Sequence, residues 1–285
     1  MSMLADIVLD ALKDTGKILP VLFLTYLLME YLEHHAGGAI SRSLQRARGA
    51  GPALGALLGL VPQCGFSGAA ASFYAGGAVT TGTLLAVFLS TSDEMIPILI
   101  SNQVPGRQVL LILGVKLLSG ILVGYLVDWL LRRRHLNRSR EIADFCRQEH
   151  CNCHGGILRS AFMHTVKIIV LIFGVSVLLN LAFACLPEER IAALWSIPVL
   201  GELLAAILGL FPNCAASVMI TELYVAGVMA PGPMLSGLLV NAGVGLLVLF
   251  RVNKNRKENF AITGILFFSG VLLGTICGFF LSGHL

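Results

Sequence analysis

Two proline–cysteine motifs and one acidic pair are the parts of this sequence whose side chains could bind an ion. Thiolate sulfur suits soft metal ions, whereas carboxylate oxygen suits harder ones. Free cysteine also packs well as a small buried hydrophobic residue, so each thiol has a purely structural alternative. The segments that contain these side chains are Pro62-Gln63-Cys64-Gly65, Pro212-Asn213-Cys214 and Ser90-Thr91-Ser92-Asp93-Glu94.

The acidic pair interrupts an apolar stretch, residues 82–101. At the centre of a membrane helix each acid would oppose insertion by ~2.5–3.5 kcal/mol, so acids persist there only where a cavity, a cation or a partner offsets the cost. If the helix boundaries differ, the pair lies at a membrane surface instead. The matching stretch later in the chain, 240–244, keeps Asn241 but has no acid. We therefore expect an acidic site that only one half of the chain supplies, with Asp93 and Glu94 as metal ligands beside the thiols of Cys64 and Cys214.

A further set of candidate metal ligands lies in a basic loop. The run His150-Cys151-Asn152-Cys153-His154 brings together two thiols and two imidazoles, which suit zinc, copper(I) or similar ions. The spacing is not that of a zinc finger, and adjacent ligands close on one tetrahedral ion only in a loose loop. Two interpretations stay open: a loop that captures or senses metal, or a solvated loop with reactive thiols.

The composition predicts an all-α integral membrane protein. Hydrophobic residues make up 56% of the 285 residues and charged residues 13%, with a mean hydropathy of +0.84, which is too apolar for a water-soluble globule. The stretches 18–32, 109–131, 166–186 and 261–281 are nearly free of charge and approach the length of a membrane helix. The net charge of +4 comes from short basic blocks beside these stretches. It therefore indicates membrane topology and a bilayer partner, and does not indicate nucleic-acid binding.

An internal repeat divides the chain. Moving the sequence along itself by 150 residues places Leu58–Cys64 on Leu208–Cys214 without a gap. The same shift aligns Ser67 with Ser217 and continues to the last apolar stretch of each copy, a length over which chance similarity would not keep one register. We predict a first repeat at 1–131, a connector at 132–160 and a second repeat at 161–285, each repeat with about five helical elements.

Each copy contains apolar pieces that are too short to cross a bilayer. These are residues 52–61 and 65–78 in the first copy and 203–211 and 215–229 in the second. Ten helical residues extend about 15 Å, half of the apolar thickness. Because proline ends each first arm, we predict two re-entrant hairpins with their proline–cysteine tips inside the membrane. Three other polar residues lie close to these tips and are candidates for substrate contact: Ser67, Ser217 and Glu222.

The basic residues predict that the two copies have opposite orientations in the membrane. Loop 34–50 contains three arginines, whereas its counterpart at 187–202 is mainly acidic, and the connector contains seven arginines. Since basic loops stay in the cytoplasm, the connector is predicted to be cytoplasmic and both termini extracytoplasmic. An inverted repeat with broken helices is typical of transporters that bind substrate near the membrane midplane.

The proline–cysteine hairpins, the break at Ser92-Asp93-Glu94 and the cysteine- and histidine-rich connector resemble a bacterial family of ten-helix heavy-metal exporters. Members of this family are also labelled arsenic-efflux-like or manganese transport proteins. The resemblance extends over nearly the whole chain. It implies five membrane elements in each copy, hairpin tips at Pro62–Gly65 and Pro212–Cys214, and a location in the bacterial inner membrane.

Together these features predict a secondary transporter that exports a heavy-metal or metalloid ion, with a divalent or soft metal ion bound at the hairpin tips and the acidic break. The sequence has no nucleotide-binding loop, so coupling to an ion gradient is the simpler energy source. Asp93 or Glu94 would exchange a proton for a cation.

A carrier of a small organic or oxyanionic substrate and a membrane metal sensor remain alternatives. An enzyme with Cys64 as its nucleophile is not expected, because the thiol would need a nearby base. The single histidine in an apolar span, His164, is near a predicted cytoplasmic end. A homodimer is compatible with the sequence.

Overall fold

The computed structural model describes residues 49–61, 65–92, 95–133, 199–212 and 214–281, together with single positions between 12 and 27 and between 162 and 177. All regular secondary structure in these residues is helical. The helices of the first half are α1 (Gly51–Gly59), α2 (Gly65–Ala75), α3 (Thr81–Ser90), α4 (Met95–Ser101) and α5 (Gly106–Arg133).

The helices of the second half recur at almost the same positions, 150 residues later. The bounds of α3 and α8 differ by that number at both ends, and the starts of the other pairs agree to within one residue. The helices of the second half are α6 (Leu200–Gly209), α7 (Cys214–Val225), α8 (Pro231–Val240), α9 (Gly245–Val252) and α10 (Arg256–Leu281).

Prolines and a threonine explain where several helices begin. Pro52 and Pro231 lie in the first turn of α1 and α8, where the missing amide hydrogen would have no helical partner. Thr80 caps α3, because its side-chain oxygen accepts a hydrogen bond from the Thr83 amide at 3.1 Å.

Glycine turns explain where α2 and α7 end. Gly77 and Gly227 have φ angles of 75° and 73°, a left-handed conformation that favours glycine and stops a helix. The two helices therefore end at Ala75 and Val225, a few residues before the predicted limits of 78 and 229.

Glycines let α1 lie directly against α3. A Cβ atom at Gly55 would lie 3.0 Å from the carbonyl oxygen of Thr83, and one at Gly59 would lie 2.7 Å from that of Val87. Later residues of α1 thus meet later residues of α3, so the two helices run in the same direction. In the second half α6 packs against α8 in the same way.

The long helix α5 packs against α3 in the opposite direction. A Cβ atom at Gly120 would lie 2.7 Å from the carbonyl oxygen of Ala86, and one at Gly124 would lie 2.7 Å from that of Gly82. In the second half α10 packs against α8. Each half therefore contains a three-helix layer with the same order of neighbours.

The two halves contact each other through two pairs of helices. α2 packs against α9, and α4 packs against α7. A Cβ atom at Gly245 would lie 2.8 Å from Cβ of Ser67 and 2.7 Å from the ring of Phe88. The Tyr74 hydroxyl donates a hydrogen bond to Oε1 of Glu258 at the start of α10.

Among the described residues, four helical stretches are long and apolar enough to cross a membrane: Thr81–Ser101, Gly106–Arg132, Pro231–Val252 and Arg256–Phe280. Large apolar side chains on α5 and α10 are exposed, with Leu110 71% and Phe279 80% accessible, as expected for helices that face lipid. The helical content and these spans confirm the prediction of a helical membrane protein. The apolar stretches at 18–32 and 166–186 lie largely outside the described residues.

Candidate functional site

The first break separates α3 from α4 at the position where the sequence places its acidic run. Ser90 Oγ donates to the carbonyl oxygen of Ala86 at 2.8 Å, and Thr91 Oγ1 donates to that of Val87 at 2.7 Å. Ser90, Thr91 and Ser92 are all buried. The hydroxyl groups therefore bond to carbonyl groups near the end of the helix, so these groups do not need water as a hydrogen-bond partner.

One hydrogen bond joins the first break to the end of α1. Ser92 Oγ donates to the carbonyl oxygen of Leu60 at 2.8 Å. Ser92 directly precedes the acidic pair, and Leu60 is two residues before the first proline–cysteine motif. The described residues that flank these two predicted site segments are therefore in contact. The segments themselves, which are Pro62, Gln63, Cys64, Asp93 and Glu94, lie outside the described residues.

The second break separates α8 from α9 and is built on a buried amide. Asn241 is 2% exposed, and its Oδ1 accepts a hydrogen bond from the Gly243 amide at 2.9 Å. The end of α6 lies beside this break, because a Cβ atom at Gly209 would lie 3.3 Å from the Asn241 amide nitrogen. Each break therefore has the end of a short helix as its neighbour.

The second proline–cysteine motif is described only in part. Pro212 follows α6 and is partly buried, and Cys214 is the first residue of α7. The side chain of Cys214 and the whole of Asn213 lie outside the described residues. Ser217, one turn into α7, is buried.

The start of α2 connects the first hairpin region to the second break. Gly65 and Ser67 are buried, and Ser67 lies against Gly245, the first residue of α9. The described residues on either side of the first motif therefore reach both breaks: Leu60 accepts a hydrogen bond from Ser92 of the first break, and Ser67 lies against Gly245, which follows the second. Buried polar groups of both halves thus converge on one central region.

Lys116 is a central residue to which the sequence analysis assigned no function. Its side chain is fully buried, and its ammonium donates to the carbonyl oxygen of Leu238 at 2.5 Å. Leu238 lies in the last turn of α8, whose C-terminal carbonyl groups favour a positive charge. The signal in the sequence is that Lys116 is the single charged residue within 108–127.

Buried carboxyl groups lie at the starts of α3 and α8. Asp128 of α5 accepts from Thr80 Oγ1 at 2.6 Å and from the Gly82 amide at 2.8 Å. In the second half the acid comes from another helix: Glu202 of α6, whose Oε1 would lie 2.8 Å from a Cβ atom at Gly232. Its Oε2 is buried and has no hydrogen-bond partner among the described residues. The two acids therefore lie at the starts of α3 and α8, whereas the breaks lie at the ends of these two helices.

One predicted contact residue is exposed, and one predicted ligand set lies outside the described residues. Glu222 of α7 is exposed. The connector ligands His150, Cys151, Cys153 and His154 lie outside the described residues. Within the part of the chain that the structure describes, no group of three or more histidine, cysteine, aspartate or glutamate side chains is arranged to hold a metal ion.

Comparison with known proteins gives a match to one protein family. No curated protein matches the chain, and no solved structure matches it. The family model matches residues 4–194, which is two thirds of the chain; it covers α1 to α5 and ends before α6. The chain thus belongs to the membrane-protein family described as "Putative, 10TM heavy-metal exporter".

Proposed function

We propose that this protein is a secondary transporter that exports a heavy-metal or metalloid ion through a site at the membrane midplane. The observation that supports this proposal best is the convergence of both helix breaks on the first hairpin region, through the Ser92–Leu60 hydrogen bond and the Ser67–Gly245 contact. Interrupted helices expose backbone groups that have no helical partner. In a membrane protein such groups are tolerated where they line a cavity or a binding site.

The proposed site lies between two re-entrant hairpins. α1 and α3 run in the same direction, and Gly59 at the end of α1 reaches Ser90 at the end of α3. The chain between them must return to the level at which α3 begins, and α2 is the helix that spans this segment. This arrangement favours a hairpin that enters and leaves on one side of the membrane.

Contacts between the halves favour opposite orientations of the two repeats. Tyr74 Oη lies 3.3 Å from Thr81 Oγ1 at the start of α3 and also bonds to Glu258 at the start of α10. The start of α3 is therefore level with the end of α9, which directly precedes α10. It follows that α3 runs from this level towards the breaks, whereas α9 runs from the breaks towards it. Together with the basic connector, this supports extracytoplasmic termini in a bacterial inner membrane.

The chemistry proposed for this site uses thiols for binding and acids for coupling. Cys64 and Cys214 would hold a soft ion, aided by helix N-termini that favour thiolate. Asp93 and Glu94 would release the ion when they take up protons, because neutral acids no longer attract a cation. Two proton-accepting groups and no nucleotide-binding loop favour exchange against an ion gradient.

Transport into proteoliposomes tests the proposal. Purified protein is reconstituted, and the uptake of arsenite, cadmium(II) and manganese(II) is measured by mass spectrometry with and without a proton gradient. We expect uptake of at least one of them, which the gradient drives. Asp93→Asn and Cys64→Ser should abolish it, whereas Cys277→Ser, a thiol of α10 at the far end from the breaks, should retain it. Uptake that is unaffected by both site substitutions would refute the site.

A carrier of a small oxyanion or organic acid is the second candidate function. The observation that favours it is the buried ammonium of Lys116 beside the second break. Arsenate, phosphate and short carboxylic acids are the substrates that the same assay must include. Gradient-driven uptake of an anion, and of none of the three metal species, would favour this candidate over metal export.

A further inference from the structure

The turn between α9 and α10 presents a patch of basic side chains, which we call the basic turn. Its four members are all exposed: Arg251, Lys254, Arg256 and Lys257. Residues 251–260 contain these four basic residues and one acid, Glu258, so their net charge is +3. Because the turn joins two of the stretches that can cross a membrane, Pro231–Val252 and Arg256–Phe280, it lies at a membrane surface. The patch is therefore level with lipid headgroups.

Two phenyl rings lie beside the basic turn, one on each of its helices. Phe250 directly precedes Arg251, and Phe260 lies one turn after Lys257 on α10. The two phenylalanines are 40% and 65% exposed, and their ring centroids lie 5.3 Å apart in an edge-to-face arrangement. Aromatic side chains at the ends of membrane helices favour the boundary between headgroups and acyl chains. The basic turn thus combines an exposed cationic surface with an exposed apolar one.

Hydrogen bonds fix the backbone of the basic turn. Asn253 and Asn259 are buried; Nδ2 of Asn253 donates to Oδ1 of Asn259 at 2.7 Å, and Nδ2 of Asn259 donates to the carbonyl oxygen of Asn253 at 2.9 Å. The acid of the turn is held as well, since Glu258 accepts from the hydroxyl of Tyr74 in α2 and from Nδ2 of Asn255 at 3.0 Å. A turn that is already ordered loses little entropy when its side chains bind a ligand.

The repeated scaffold does not need this patch. The equivalent turn of the first half, 101–110, joins α4 to α5 and contains one charged residue, Arg107. Gly106 occupies the position of Arg256, and aliphatic side chains occupy the positions of the two phenylalanines. Basic residues orient a loop towards the cytoplasm, which accounts for positive charge but not for the paired rings. Charges and rings together indicate a ligand with an anionic headgroup and an apolar body.

We propose that the basic turn binds an anionic phospholipid, with its phosphate among the basic side chains and its acyl chains beside the two phenyl rings. Arginine suits the phosphate, because a guanidinium group can donate two parallel hydrogen bonds to it. Each basic side chain near an anionic lipid surface strengthens binding about fivefold. Phosphatidylcholine has the same phosphate, but its ammonium group cancels the charge, so the turn should prefer phosphatidylglycerol. This lipid site does not depend on the proposed function, because the turn lies at the membrane surface.

Thermal unfolding of the purified protein in detergent micelles tests the lipid site. A lipid that binds the folded state raises the unfolding temperature, and a titration gives its apparent dissociation constant. We expect phosphatidylglycerol to bind about tenfold or more tightly than phosphatidylcholine. Arg256→Gln together with Lys257→Gln should weaken the binding of phosphatidylglycerol about 20-fold and leave that of phosphatidylcholine unchanged. The matched control is Arg107→Gln, at the position equivalent to Lys257, which should leave both unchanged.

A gain of binding provides a second test. Ser101→Arg together with Gly106→Arg adds two charges to the turn of the first half, where a Cβ atom at Gly106 would have no neighbour within 4 Å. This arginine variant should enlarge the rise in unfolding temperature that phosphatidylglycerol causes. Glycerol phosphate, which has the headgroup charge without the acyl chains, should cause little rise at the same concentration.

Three results would overturn the lipid site. The first is equal binding of the two phospholipids by the original protein. The second is a glutamine variant that binds phosphatidylglycerol as the original protein does or, where this variant does not fold, an arginine variant that shows no larger rise. The third is a rise with glycerol phosphate as large as that with phosphatidylglycerol, which would indicate a site for any phosphate.

Discussion

The start of α3 offers a quantitative test of how the helices before the breaks are held. Asp128 reaches from α5 to this start, where its two oxygens accept hydrogen bonds from the Thr80 hydroxyl at 2.6 Å and from the Gly82 amide at 2.8 Å. The side chain is 4% exposed. Asp128→Ala would therefore remove the carboxylate acceptor of two donors, the Thr80 hydroxyl and the Gly82 amide.

The expected cost follows from these contacts. A hydrogen bond to a charged group contributes roughly 1.5–3 kcal/mol, and a carboxylate at a helix N-terminus adds about 0.3–1 kcal/mol. Allowing for the second bond that Thr80 makes, with Thr83, we expect Asp128→Ala to lower the free energy of unfolding by about 3–5 kcal/mol. Asp128→Asn keeps an acceptor for Gly82, so it should cost about half as much.

The matched control is Glu202→Gln at the start of α8. Glu202 is the other buried acid at a helix start, but its Oε2 has no hydrogen-bond partner among the described residues. Replacing that oxygen by an amide nitrogen breaks no bond, so we expect a change within about 1 kcal/mol. Unfolding by SDS in mixed micelles, followed by circular dichroism, measures both variants. Equal losses for Asp128→Ala and Glu202→Gln, or no loss for Asp128→Ala, would show that these hydrogen bonds do not stabilise the helix start.

Two further predictions concern contacts between helices. Gly59→Leu should separate α1 from α3 and abolish the monodisperse size-exclusion peak, whereas Gly106→Leu should not, because a Cβ atom at Gly106 would have no neighbour within 4 Å. Glu258→Gln and Tyr74→Phe should weaken the bond between the two halves beside α10 and so raise the labelling rate of a cysteine placed next to it. An unchanged labelling rate in both variants would show that this bond does not hold the halves together.

The sequence predicts the helical pattern well because the determinants of helix ends are local. Gly77 and Gly227 end α2 and α7 at equivalent positions, and the polar run after Ser90 and the Asn241 segment coincide with the observed breaks. Each of these signals acts within one or two turns of the residue concerned. A repeat of the sequence therefore appears directly as a repeat of helix bounds.

The partners of the buried charged groups could not be predicted in this way. Asp128 aligns with Gly278 in the shifted sequence, and Glu202 aligns with Pro52, yet the two acids lie at the starts of the equivalent helices α3 and α8. One acid comes from α5 and the other from α6. Which helix supplies the group depends on the packing of helices that are distant in sequence, and the hydrophobic pattern does not record this.

The two breaks differ in the charged groups beside them, although the helices around them recur in both halves. The helix pattern, the glycine contacts and the buried serines occur in both halves, so the described helices pack in a similar way around the two breaks. The charges do not obey this symmetry: the acids follow α3, whereas a lysine bonds to the last turn of α8. Lys116 belongs to α5 of the first half, as the acids do, and its hydrogen bond to Leu238 joins that half to the last turn of α8, so any motion that parts α5 from α8 has to break this buried bond.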